Sequence, residues 1–197
     1  MMYGLPESTE IRKSIPKGVF FTSKNILGKE KERFDRQVHK MTILGLINPE
    51  TVNLGPSQEI KAIYVMEVQL NDPEFDERIL DSLDRLGHKT VYVLTYQDRC
   101  RLAVIEGMKF FSKWVKGESI QLEMVGLDLG EVWANFVRSI GGLDEGGNFD
   151  ETIEKTVRNE QIQKEIDRLE KKFAKEKQNH VKRDLFAQIQ ELKKQLQ

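Results

Sequence analysis

The chain has 197 residues, with 31 Lys/Arg set against 32 Asp/Glu for a formal charge of −1. That length suits one domain of about 130–150 residues plus an appendage and excludes two large catalytic domains. The near-neutral balance excludes a wholly basic nucleic-acid coat protein, and a single cysteine excludes an intramolecular disulfide framework or a Cys-based zinc site.

With 39% apolar and 32% charged residues, part of the chain is expected to be solvated helix rather than core. Residues 1–18 carry Glu7, Glu10, Arg12, Lys13 and Lys17 without an apolar h-region, so no signal peptide is expected. Every apolar run is far shorter than the ~20 residues of a membrane span. The expectation is a soluble, cytoplasmic protein without membrane contact.

Residues 1–25 read as an extended N-terminal arm, because Pro6 and Pro16 fix φ and bias the residues before them toward extended geometry. Its apolar Ile11, Ile15, Val19, Phe20 and Phe21 are expected to lie across a domain surface. The spacing of Leu27, Phe34, Val38 and Met41 predicts a helix over 26–41, followed by a short strand over 42–47 that Asn48-Pro49 closes. Gly55-Pro56-Ser57 marks a turn. Residues 59–70 give the strongest strand signal: Ile60, Ala62, Tyr64, Met66, Val68 and Leu70 share one face, and Ile63 and Val65 make the other apolar, as in a central strand.

Asp72-Pro73 supplies a cap and a first-turn proline for a helix carrying Phe75, Ile79, Leu83 and Leu86, with Gly87 placed to end it. Residues 90–96 and 99–106 are strands joined tightly at Gln97-Asp98. One or two further strands are expected over 110–115 and 119–125. Asp128 and Glu131 form a capping box before a helix carrying Leu129, Val132, Trp133, Phe136, Val137 and Ile140. This order predicts an α+β fold, with a mixed or mostly antiparallel sheet covered by helices.

Gly141-Gly142 and Gly146-Gly147 mark a break, and the composition changes beyond it. The α+β domain is expected over 26–143, a Gly-rich hinge over 144–150 and an amphipathic tail over 151–197. The tail carries twelve Lys/Arg and nine Asp/Glu, a net +3 that leaves −4 for the rest. Ile153, Val157, Ile162, Ile166, Leu169 and Phe173 form one stripe; Val181, Leu185, Ile189, Leu192 and Leu196 form another. One continuous rod would place Lys177 in the stripe, so an antiparallel helical hairpin folding at Lys177–Asn179 is predicted, a coiled coil of two helices.

Few residues suggest chemistry. Glu67 and Gln69 project to one face of the central strand, as the acid and lysine of restriction-type metal nucleases do, but glutamine replaces the lysine and no earlier-strand Asp accompanies it. A solvated or ion-paired strand-end acid is the simpler reading, with Glu67 as a metal ligand the alternative. Cys100, between Arg99 and Arg101, reads as a small core thiol because adjacent strand residues face opposite ways. His39, His88 and His180 have no paired spacing, and no glycine-rich phosphate motif is present, so neither metal nor cofactor is expected. Trp114, near Lys109, Lys113 and Lys116, reads as packing rather than a base-stacking platform. Arg168, Lys171, Lys172, Lys175, Lys177, Lys182 and Arg183 gather near the hairpin tip and form the candidate surface for nucleic acid or a protein partner.

Several separated segments resemble a known family. They are Leu5-Pro6 with Ser8-Thr9, Ile15-Pro16-Lys17, residues 48–54 from Asn48 to Leu54, and the strand from Glu59 to Leu70. The hairpin around Tyr96, Ser112-Lys113-Trp114, Gly126-Leu127-Asp128-Leu129 and the ending from Leu169-Glu170-Lys171-Lys172 to Leu192 complete the set. In order and spacing the chain resembles the bacterial and archaeal family known as domain of unknown function 4391. The resemblance implies no activity and no catalytic residues. It implies a context: genes of that family often adjoin helicase and DNA methyltransferase genes of restriction or anti-phage systems. The resulting expectation is a non-enzymatic accessory subunit with a helicase or methyltransferase partner. A divergent nuclease using Glu67 is the alternative, and tail-to-tail homo-oligomerisation a third.

Overall fold

In the computed structural model the described residues are 3–196 apart from 56, 58 and 145. Pro56 of the predicted turn, Glu145 of the predicted hinge, Met1 and Met2 of the predicted arm and Gln197 of the predicted hairpin lie outside them. The chain divides into two compact units at residues 145 and 146.

The first unit is built on β1 (Glu10–Ile15), β2 (Val38–Ile47), β3 (Ile63–Leu70), β4 (Lys89–Tyr96), β5 (Arg99–Glu106) and β6 (Met108–Phe111), hydrogen-bonded in that order, with β7 (Val115–Lys116) also pairing β5. All neighbours are antiparallel except β3 and β4. Their parallel pairing needs a crossover, which α3 (Arg78–Asp84) supplies. The fold is therefore mixed α+β with a mostly antiparallel sheet, and β3 is a central strand.

Alternation along the strands makes two apolar faces. Met66, Val68 and Leu70 of β3, with Tyr92, Leu94 and Ala103, pack under α1 (Lys17–Lys24), α2 (Gly28–Gln37) and α3 through Phe20, Phe21, Phe34, Ile79, Leu80 and Leu83. On the opposite face α4 (Leu129–Gly141) packs against β5 and β6, burying Leu129, Val132, Trp133, Phe136, Val137 and Ile140. The expected cap at α4 is present: Asp128 Oδ1 accepts from Gly130 N–H at 2.7 Å and Glu131 N–H at 3.0 Å. Glu131 reaches back to accept from Leu127 N–H at 2.8 Å. Gly126, at φ 149°, lets the loop pass so close that an added Cβ would meet Glu131 Cβ at 2.7 Å.

Four expectations need correction. Residues 10–24 form β1 and α1 rather than an extended arm, because Phe20 and Phe21 insert beside Phe34 at centroid distances of 5.3 and 5.6 Å. Lys17 Nζ also donates to Val38 O at 3.0 Å and pairs with Asp35 at 2.8 Å. The helix predicted over 26–41 ends at Gln37, and Val38–Met41 belong to β2. A bulge there pairs Val38 with Leu70 but Met41 with Val68, so two residues three apart share a face as they would on a helix.

The helix after Asp72-Pro73 starts only at Arg78. Residues 71–76 are held instead to the end of α2, where Asn71 N–H donates to Gln37 O at 2.8 Å and Asp76 N–H donates to Gln37 Oε1 at 2.8 Å. Residues 119–125 make no ladder: Ile120 and Leu122 are buried, and Leu122 N–H donates to Tyr3 O at 2.7 Å.

The second unit is the antiparallel hairpin, α5 (Phe149–Lys175) and α6 (Asn179–Gln195), with the break at residues 176–178. Its seam holds Ile162, Ile166, Leu169 and Ile189, flanked by Phe173, Leu185, Leu192 and Leu196. The stripes face one another from Ile162 to Phe173 and from Leu185 to Leu196, whereas Ile153, Val157 and Val181 of the predicted stripes lie outside this cluster. Asn148 caps α5 by accepting from Glu151 N–H at 3.2 Å, and Lys193 reaches across the hairpin to Glu170 at 2.8 Å.

Candidate functional site

The parallel strands β3 and β4 end at the same edge of the sheet, where polar residues replace apolar ones on the face that α4 shares. Along that face β3 runs Ile63, Val65, Glu67, Gln69, and β4 runs Val91, Val93, Thr95. The switch opens a crevice of about 770 Å³ at the carboxyl ends of the parallel pair, a position that favours ligands in open sheets. It is lined by Glu67, Gln69, Thr95, Cys100 and Tyr3, with His39, Asn71, Gln97, Asp98, Arg99 and Lys116 around the rim.

Glu67 is half-buried and its carboxylate accepts from Gln69 Nε2 at 3.2 Å and Thr95 Oγ1 at 3.5 Å. The face shared with Gln69 follows from strand alternation, as expected, and it brings the amide onto the acid as a hydrogen-bond donor. Tyr3 faces the same group. Burial, reinforced by the negative charge of Glu67, pushes its phenol pKa up to about 12, so it stays a neutral hydrogen-bonding group.

Cys100 is 1% exposed, and burial raises its thiol pKa. Arg99 and Arg101 project to the other face, where each guanidinium lies 5.7 Å from the centre of the Trp114 ring. Trp114 packs half-buried against the helix-covered core, so both of its arginine neighbours are stacking partners there. Lys109, at the same sequence cluster, pairs with Asp81 at 2.7 Å.

The three histidines are dispersed. His39 lines the crevice, His88 stacks on Tyr64 at 4.9 Å, and His180 opens α6. Among the described residues no group of three or more His, Cys, Asp or Glu is placed to hold a metal ion. A second cavity of about 720 Å³ lies at the opposite ends of β3 and β4. There Lys89 and Trp133 both engage the Glu106 carboxylate, and burial together with Asp81 raises the pKa of Asp84.

The basic residues singled out in the tail lie on the hairpin unit. Arg168 pairs with Glu165 at 2.6 Å, and Lys182 lies 5.4 Å over the Phe173 ring. Lys171, Lys172, Lys175, Lys177 and Arg183 are exposed and make no ion pair among the described residues.

The sequence shows Glu67 and Gln69 on one face of their strand but not Thr95 or Tyr3, which join them there. Thr95 and Asp98 were accessible in principle, since the tight turn at Gln97-Asp98 fixes where β4 ends. Tyr3 carries no local signal, because its place depends on the long-range bond to Leu122.

Geometry defines the class: an α+β protein with a mixed sheet, an open polar crevice at the ends of its one parallel pair, and a helical hairpin as a second unit. The chain belongs to the family described as domain of unknown function (DUF4391), whose model matches residues 3–196. No curated protein and no solved structure matches it. Among the described residues, no helix is long and apolar enough to cross a membrane.

Proposed function

We propose that the protein is a non-enzymatic accessory subunit of a cytoplasmic DNA restriction or anti-phage assembly. Its body docks on a helicase or DNA methyltransferase, and its hairpin is the arm that engages a further component. One observation carries this reading: residues 146–197 form their own compact unit with their own apolar seam. The hairpin thus has a folding reason of its own and leaves its charged exterior for contact. The gene context that family membership implies supplies the kind of partner, which is an argument from association.

Expression of the tagged full chain in its native host tests the proposal. A helicase or methyltransferase should co-purify in stoichiometric amount, and removal of residues 146–197 should change what is retained. Recovery of the chain alone under gentle conditions counts against it.

The second reading, a divergent metal-dependent nuclease, is favoured by one feature: Glu67 stands in a crevice with Asp98 and His39 on its lining. The donor set fits a divalent ion poorly, because Gln69 and Thr95 donate to the one carboxylate that would ligate it and no three-ligand cluster accompanies it among the described residues. Plasmid and single-stranded DNA incubated with Mg²⁺ or Mn²⁺ separate the readings. Cleavage that disappears in Glu67→Ala would reverse the ranking.

A further inference from the structure

Charge in this chain is segregated far more than its total suggests. Residues 168–183, at the hairpin tip, hold seven Lys/Arg and two acidic residues, a net +5 that leaves −6 for everything else. Helix physics accounts for only part of this. Lys172 and Lys175 sit in the last turn of α5, where cations complement the helix dipole. Lys182 and Arg183 do the reverse. Lys182 closes the first turn of α6 and Arg183 comes next, and that first turn holds no acid. The dipole favours anions there, so local helix stability does not explain these two cations.

An aromatic accompanies them. Phe186 is 54% exposed although the hairpin seam is filled by other residues. Its ring lies 6.5 Å from that of Phe173, over which Lys182 stands. On α6, Lys182, Arg183 and Phe186 are related by i, i+3 and i+4 spacing and so share one face. An exposed ring flanked by Lys182, whose charge also acts on Glu176, and by Arg183, which makes no ion pair among the described residues, combines the two elements of sequence-tolerant single-strand binding: phosphate attraction and a flat surface for base stacking.

We infer that the hairpin tip binds single-stranded nucleic acid without sequence preference, through Lys175, Lys177, Lys182 and Arg183 for phosphates and Phe186 for a base. This deepens the reading of the hairpin as the engaging arm and rests on it. Duplex DNA offers phosphates but no unstacked base to Phe186, so it should bind more weakly.

The experiment is fluorescence anisotropy of the full-length protein with labelled 20-nucleotide single-stranded DNA, its RNA equivalent, and the corresponding duplex. Binding to the single strands should weaken about sevenfold between 0.1 and 0.2 M NaCl, as expected for about four phosphate contacts. The triple variant Lys175→Glu, Lys177→Glu, Arg183→Glu should lose binding at least tenfold. Phe186→Ala should lose about fivefold or more on single strands and almost nothing on duplex. Circular dichroism should show both variants still helical, as their side chains lie outside the seam.

Absence of binding at 50 mM NaCl overturns the inference. So does duplex preference, or indifference to Phe186→Ala. If the wild type binds no oligonucleotide yet the triple variant loses a co-purifying protein, the tip is a protein-docking surface. The inference then fails while the accessory-subunit reading stands.

Discussion

Trp133 Nε1–H donates to Glu106 Oε2 at 2.6 Å, tying the covering helix α4 to the end of β5. Lys89 pairs with the same carboxylate and stands 5.3 Å over the indole, so one acid organises a cation and an aromatic across the sheet edge. Trp133 is 2% exposed, which makes its N–H expensive to leave without an acceptor.

Glu106→Ala should therefore cost about 1–3 kcal/mol, through the orphaned indole donor. Glu106→Gln keeps an acceptor oxygen and loses only the partly exposed pair with Lys89, a loss of about 1 kcal/mol or less. Urea denaturation followed by tryptophan fluorescence measures both. Equal losses would mean that charge, rather than the hydrogen bond, matters at this site.

Asp76 holds the loop before α3 in place. It accepts from Arg78 Nε at 2.9 Å and from Arg78 N–H at 3.0 Å, and Arg33 of α2 lies 3.8 Å away. The Arg78 hydrogen bond, aided by the charges of Arg78 and Arg33, lowers the Asp76 pKa to about 2. A carboxyl depressed in the folded state stabilises when ionised, so the contribution is full above the unfolded value near ~4 and disappears as pH falls from there through about 2. Wild type should exceed Asp76→Asn in urea midpoint at pH 5–7, and the difference should shrink below pH 4 and be mostly gone at pH 2. A gap that widened in acid would contradict the assignment.

How much of this was legible beforehand depended on whether a signal was local. The α4 cap, the turn at Gln97-Asp98, the Ile79–Leu83 stripe and both hairpin stripes are short-range patterns, and each element formed. The misplacements came from long-range contacts overriding local rules. Asp72-Pro73 has the chemistry of a helix start, but Gln37 and Arg36 of another helix take up the neighbouring backbone and Asn71 amide groups. Val38 and Met41 imitate helical spacing because a bulge adds a residue between them. At the crevice, Glu67 and Gln69 were legible as a shared face. Tyr3, 64 residues earlier, was not, since only packing brings it there.

Cys100 supplies a simple probe of the crevice. It borders the cavity yet is 1% exposed, and burial raises its pKa, so little thiolate is present at neutral pH. Ellman's reagent at pH 7.5 should label the native protein at least tenfold more slowly than the unfolded chain, where the single thiol reacts fully. Rapid labelling of the native form would show that the crevice opens to its floor.

The hairpin seam gives the sharpest test of the two-unit architecture. Leu169 and Ile189 are each 4% exposed, and every residue of their cluster comes from the tail. A carboxylate placed there has no cation built to receive it, so Leu169→Asp with Ile189→Asp should cost more than the few kcal/mol a two-helix unit holds in reserve. Helices α5 and α6 supply 44 of the 82 α-helical residues described, so ellipticity at 222 nm should fall by about half. Both tryptophans, Trp114 and Trp133, lie in the first unit, and unfolding followed by their fluorescence should keep its urea midpoint. A common shift in both signals would show that the units fold as one, and the separable arm on which the accessory role depends would be gone.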